Sequence, residues 1–162
     1  MNPDNKLTAT ELLLEEQRLG LPNFGIKDAL ELGDIAKSLA LNRDLPLAIE
    51  VRIGDWIVYH CSLPGSKQEN DWWISRKARV VNLKKHSTLF ERLSAEERSV
   101  NWFIENSVSE VEYAIHGGGL PLITKKEGFI GSLLISGLPQ VEDHLLGVEV
   151  LNEFLARKGE LL

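Results

Sequence analysis

Histidine is the side chain whose ordinary pKa lies nearest neutrality, and the sequence carries four: His60, His86, His116 and His144. None has local metal-ligand spacing, so any metal site would have to be assembled in three dimensions. Taken singly, each histidine reads as a hydrogen-bonded structural group before it reads as a ligand. His116 opens the run His116-Gly117-Gly118-Gly119. Three successive glycines lose much backbone entropy on folding and pack no side chains. Either they make a turn with positive φ between two strands, or their N–H groups form a nest for an anion or carboxylate. Positive charge is densest at Arg76, Lys77, Arg79, Lys84 and Lys85, which reads first as a solvated helix face. Lys77 and Lys84 nevertheless fall inside an apolar arc. Their stems therefore lie over apolar surface or their charges meet a buried partner.

Much chemistry is excluded. The sequence has no G-x-x-x-x-G-K-[ST], G-x-G-x-x-G, H-E-x-x-H or C-x-x-C, and no G-x-S-x-G elbow to accompany the glycine triple. A single cysteine, Cys61, allows no internal disulfide and no cysteine-based zinc site. Its apolar neighbours favour packing over reactivity. Asp143 beside His144 is explained by a helix start, and Trp72-Trp73 by core or interface packing. With 18 Lys and Arg against 24 Asp and Glu, the net charge is −6, which disfavours nucleic acid. Apolar stretches such as Phe129–Val141 fall short of the roughly 18–20 residues that span a bilayer. The polar N-terminal residues lack a signal h-region, so the expected location is cytoplasmic.

The elements that would position these residues follow from periodicity and stop signals. At 162 residues the chain is expected to be a single domain over 1–162. Helices are expected at Thr8–Leu19, with a Thr8/Glu11 capping box, and at Lys27–Asn42. Leu47–Ile53 alternates and predicts a half-buried strand with Glu50 and Arg52 outward; Trp56–Leu63 completes a hairpin. A long helix is expected from an Asp71 cap to about Leu93, then a shorter one from Ser94 to about Glu105. Short strands follow at Glu112–His116 and Leu120–Thr124. The run Phe129–Ser136 is apolar on both faces, which predicts a central, covered strand. Val141, Leu145, Val148, Leu151 and Leu155 mark the last helix. Strands in successive runs favour an antiparallel sheet in an α+β fold.

Leu63-Pro64-Gly65, Asn70-Asp71-Trp72-Trp73, Arg76-Lys77, His86-Ser87, His116-Gly117-Gly118, Leu120-Pro121-Leu122 and Ser136-Gly137-Leu138-Pro139-Gln140 before Glu142-Asp143-His144 resemble the uncharacterised UPF0303 family. That family is similar to the wider haem-degrading, GlcG- and HbpS-like (DUF336-type) superfamily. The resemblance implies a profilin-like (GlcG-like) three-layer α/β/α fold with a central five-stranded antiparallel sheet. It also implies homo-oligomers built from dimers. Haem is the cofactor the superfamily suggests, but its members' N-terminal histidine ligand has no counterpart here before His60. Three functions follow as expectations: a small-molecule-binding domain for an anionic or tetrapyrrole-like ligand, a haem-binding or haem-degrading enzyme, and a non-catalytic oligomeric scaffold. The candidate ligand-binding residues are Arg76, Lys77, His86, His116, Gly117, Gly118, Gly119, Pro121 and His144. No catalytic residue and no metal ligand is assigned.

Overall fold

Alternating side chains on Leu47–Ile53 create two faces that both need cover, and the surrounding helices supply it. The computed structural model describes residues 7–159. Its elements are α1 (Ala9–Arg18), α2 (Ile26–Asn42), β1 (Ala48–Ile53), β2 (Trp56–Ser62), α3 (Gln68–Lys84), α4 (Thr88–Glu97), α5 (Trp102–Asn106), β3 (Gly119–Thr124), β4 (Gly128–Ser136) and α6 (Gln140–Arg157). The strands form one four-stranded sheet in the order β2-β1-β4-β3, and every pair is antiparallel. Helices α2 and α6 cover one face and α3 the other.

The central position of β4 is as expected: it lies between β1 and β3, and Gly131 to Ser136 are buried. Ile49, Val51, Leu133 and Ile135 join Leu32, Ile35, Val150 and Phe154 in the main core. A smaller cluster of Ala48, Leu134, Ile74 and Ala78 seals the α3 face. The Thr8/Glu11 capping box of α1 is present, with reciprocal bonds of 3.2 and 3.0 Å.

Four expectations need correction. The sheet has four strands, not five, because Glu112–His116 is not a strand. Its neighbourhood is held by α3 side chains instead of a ladder: Arg76 donates to the carbonyls of Glu110 and Tyr113, and Arg79 to that of Glu112. Among the described residues a fifth position survives only as one parallel bridge, Leu21 to Thr124, on the outer edge of β3. Second, β1 is buried on both faces. Glu50 and Arg52 lie inside, joined at 2.6 Å, with Arg52 also reaching Asp55 at 2.8 Å. Third, α3 starts after Lys67, whose N–H donates to Asn70 at 2.8 Å, and stops at Lys85 in a left-handed conformation (φ 60°). Ser87 then caps α4 through the Phe90 N–H, so Ser94 lies inside a helix. Fourth, Arg76 and Lys77 are buried and not part of a solvated face.

Ile135 is fully buried at the centre of the sheet. Ile135→Asp places an unpaired charge there and should cost several kcal/mol. Urea unfolding checks this; a loss under about 1 kcal/mol would show that β4 is not core.

Candidate functional site

Asn70, Trp73 and Lys77 are three and four residues apart on α3 and so share one helix face. That face looks onto the Ser136–Leu138 connection, the first turn of α6 and the entry to β3. Together they enclose a cleft of about 190 Å³ whose walls include Asn70, Trp73, Lys77, His116, Gln140 and Asp143.

At its base lies an ion pair. The Lys77 side chain is 3% exposed and that of Asp143 is 2% exposed. The ammonium donates to the Ile135 carbonyl at 2.9 Å and to Asp143 Oδ2 at 3.3 Å. Asp143 also accepts the N–H groups of Gly137 at 3.3 Å and Leu138 at 2.9 Å. Burial pushes the Asp143 carboxyl up to about 6, against the pull of Lys77 and those amides. Burial likewise lowers Lys77, opposed by Asp143.

His116 forms the side wall, its ring 4.7 Å from that of Trp73 in an edge-on contact. Its Nδ1 is buried and has no hydrogen-bond partner. Burial lowers its pKa, and the positive charges of Arg92, Lys77 and Arg76 lower it further. The imidazole is therefore neutral at pH 7.

The glycines owe their identity to close approach. A Cβ at Gly117 would lie 2.3 Å from the Gln140 carbonyl oxygen. One at Gly118 (φ 125°) would lie 2.3 Å from the Ile135 carbonyl and 2.7 Å from Lys77 Nζ. One at Gly119 would meet Thr88 at 2.9 Å. The Gly117 and Gly119 N–H groups donate to Gln140 Oε1 at 3.1 Å and Thr88 Oγ1 at 3.0 Å. The triple is thus a tightly packed passage between helices, and two of its three amides are already engaged.

Of the residues singled out from sequence, Lys77, His116, Gly117 and Gly118 converge here. Gly119 and Pro121 lie in β3, Pro121 opposite Ser132. Arg76 turns to the neighbouring side of α3, its guanidinium 4.2 Å from the Trp72 ring and 4.5 Å from the Trp73 ring. The two indoles therefore share Arg76 and touch each other, centroids 5.4 Å apart. His86 and His144 lie elsewhere: His86 Nδ1 is 2.8 Å from Glu16 and His144 Nε2 is 2.7 Å from Glu15. Glu16 raises the His86 pKa. His60 Nδ1 is 3.0 Å from buried Glu50. Sequence reasoning missed Asn70, Gln140 and Ser136, and saw Asp143 only as a helix-start residue. The 70/73/77 spacing was the available signal. Among the described residues no group of three or more His, Cys, Asp or Glu could hold a metal ion. No helix among them is long and apolar enough to cross a membrane.

A helix-covered antiparallel sheet, with a polar cleft where a glycine passage meets a helix start, makes this an α+β domain. The family model for haem-degrading HbpS-like proteins matches residues 24–152. A UPF0303 protein of Streptomyces avermitilis is 38% identical over 93% of this chain and 92% of its own length. Another from Sinorhizobium medicae is 34% identical over 100% and 98%. The chain belongs to the HbpS-like family and, within it, to the UPF0303 proteins. Among solved structures, the Ybr137w protein superposes with a TM-score of 0.84 at 28% identity, covering 93% of this chain and 90% of that one. The haem complex of PduOC superposes at 0.68 and 16% identity, covering 80% and 93%; that likeness concerns the fold alone.

Removing one partner of a buried ion pair strands the other charge, at about 3–5 kcal/mol. Lys77→Met should therefore destabilise strongly, whereas Lys77→Met with Asp143→Leu should recover most of the loss. Without Lys77 the carboxyl pKa rises further. A raised carboxyl favours the folded state below its unfolded value, and that advantage disappears as pH climbs through the folded value. The Lys77→Met penalty should thus be smaller at pH 5 than at pH 8 in thermal unfolding. Equal penalties, or no recovery in the double variant, would contradict the pair's role.

Proposed function

We propose that this chain is a small-molecule-binding domain that accepts an anionic ligand in the Lys77 cleft and works as a homo-oligomer. The observation that carries this reading is the nearly fully buried Lys77 ammonium at the floor of an open cleft with an aromatic wall. An enclosed cation with one fixed counter-charge can exchange part of that partnership for a ligand's anionic group. Ligand sites commonly join a few convergent polar groups to apolar walls, and Trp73 with Leu138 supplies the walls. An anion beside Lys77 raises the Asp143 pKa above its already elevated value of about 6, so binding takes up a proton. Protonation of His116 acts in the same direction. Affinity for a small dicarboxylate such as malonate should therefore increase from pH 7.5 to pH 5.5 in calorimetric titration. The opposite trend would remove Lys77 and Asp143 from the binding site.

The homo-oligomer is supported by the family resemblance and by Trp72, which is 49% exposed; aromatic rings are favoured at interfaces. Native mass spectrometry of protein taken from cells tests ligand and assembly together. The expected species is an oligomer carrying a small organic mass, with Trp72→Ala giving smaller assemblies. A bare 18.2 kDa monomer at all concentrations would overturn both.

Haem is the competing ligand, favoured by the family description. The residues present do not fit it well. His60, His86 and His144 each hold a carboxylate. His116 borders a cleft of about 190 Å³, below the roughly 300–1,000 Å³ of sites for drug-sized ligands. Haemin titration should give no sharp histidine-ligated spectrum. A stoichiometric complex lost in a single His→Ala variant would make haem the ligand.

A further inference from the structure

On the far side of the His116 ring lies a second cavity, of about 240 Å³, between α3, α4, α5 and the 110–116 segment. Its walls combine two arginines, Arg76 and Arg92, with the apolar side chains of Val100, Phe103 and Ile115. Arg76 is 5% exposed. One of its terminal nitrogens serves the carbonyls of Glu110 and Tyr113, yet its Nε is buried without a hydrogen-bond partner. The Nδ1 of His116, which also borders this cavity, is likewise buried and unpartnered. Buried polar groups are almost always satisfied, and an arginine Nε can only donate, so this place calls for an acceptor. Arg92 gives its Nε to Glu96 at 3.0 Å, and within the described residues its terminal nitrogens have no other partner. Glu96 and Glu110 also border the cavity, but both are exposed, and Glu96 is already held by Arg92.

We propose that this cavity is a second binding site, for a small organic acid whose carboxylate meets Arg76 and Arg92 and whose apolar body lies against Val100, Phe103 and Ile115. Arginine suits the role because its planar fork matches a carboxylate. The arginine pair distinguishes this site from the Lys77 cleft, with which it shares only the His116 ring. It does not depend on the reading of that cleft.

Titration of ¹⁵N-labelled protein with benzoate, followed by NMR, tests the site, with benzyl alcohol as the uncharged control. Benzoate should shift the Trp102 indole N–H and the backbone amides of Ala95 and Ile115 saturably. Benzyl alcohol should bind at least tenfold more weakly, since it offers the arginines no charge-assisted, two-pronged hydrogen bond. Arg92→Gln, at a side chain 29% exposed and away from the core, should weaken benzoate about tenfold or more. Val100→Trp, at a residue 38% exposed, should block the cavity without unfolding the protein. No saturable shift at Trp102, equal binding of the alcohol, or an unaffected Arg92→Gln variant would each overturn the proposal. Shifts confined to the side-chain amides of Asn70 and Gln140 would place the acid in the Lys77 cleft, overturning this site while supporting the other.

Discussion

The ion pair between Lys77 and Asp143 is the constraint on which the rest of this structure depends. Two charges removed from water are tolerated only when their remaining hydrogen-bonding capacity is met. Meeting it here requires α3, the end of β4 and the start of α6 to converge on one point. The ammonium takes the Ile135 carbonyl near the end of β4, and the carboxylate takes the two amides that follow the strand. Three layers are thereby fixed in register. The glycine passage answers the same demand, because a side chain at Gly118 would collide with the ammonium itself. The cleft is the space left where elements gathered by polar contacts cannot also fill every gap with side chains.

A second theme is carboxylates that hold histidines. Glu15 and Glu16, neighbours on α1, reach in different directions, one to His144 on α6 and the other to His86 and the Ser87 N–H ahead of α4. Adjacent helix positions diverge by about 100°, so one turn of α1 clasps two separate elements. Glu50 serves His60 and Arg52 together. These partnerships commit three of the four imidazoles; His116, among the described residues, is the one on no carboxylate, and it borders the Lys77 cleft.

Elements governed by local rules were legible in the sequence. The α1 capping box, the apolar face of α2, the β1–β2 hairpin and the central place of β4 all follow from spacing. What escaped was set by distant partners. Nothing near Glu50 in sequence announces that α3 will cover it, so an alternating strand read as half-exposed proved buried on both faces. Glu112–His116 has strand-like residues, but the α3 arginines claim its carbonyls, and no periodicity carries that information. Lys77 inside an apolar arc was the one visible sign of a buried ion pair. Its partner, about 66 residues away, could be seen only in three dimensions.

The register of the sheet also dictates an order of assembly. Strand β1 meets β2 across a tight turn, but its other neighbour, β4, is delivered only after α3, α4, α5 and β3. Pairing across such a separation carries a loop-closure cost that the hairpin does not. The hairpin therefore waits during synthesis with one edge of β1 unpaired, the kind of edge that recruits other chains. Glu50 and Arg52, destined for the interior, keep one face of that waiting strand charged and well hydrated. In the finished sheet that pair is closed off from water, with β4 beside the strand.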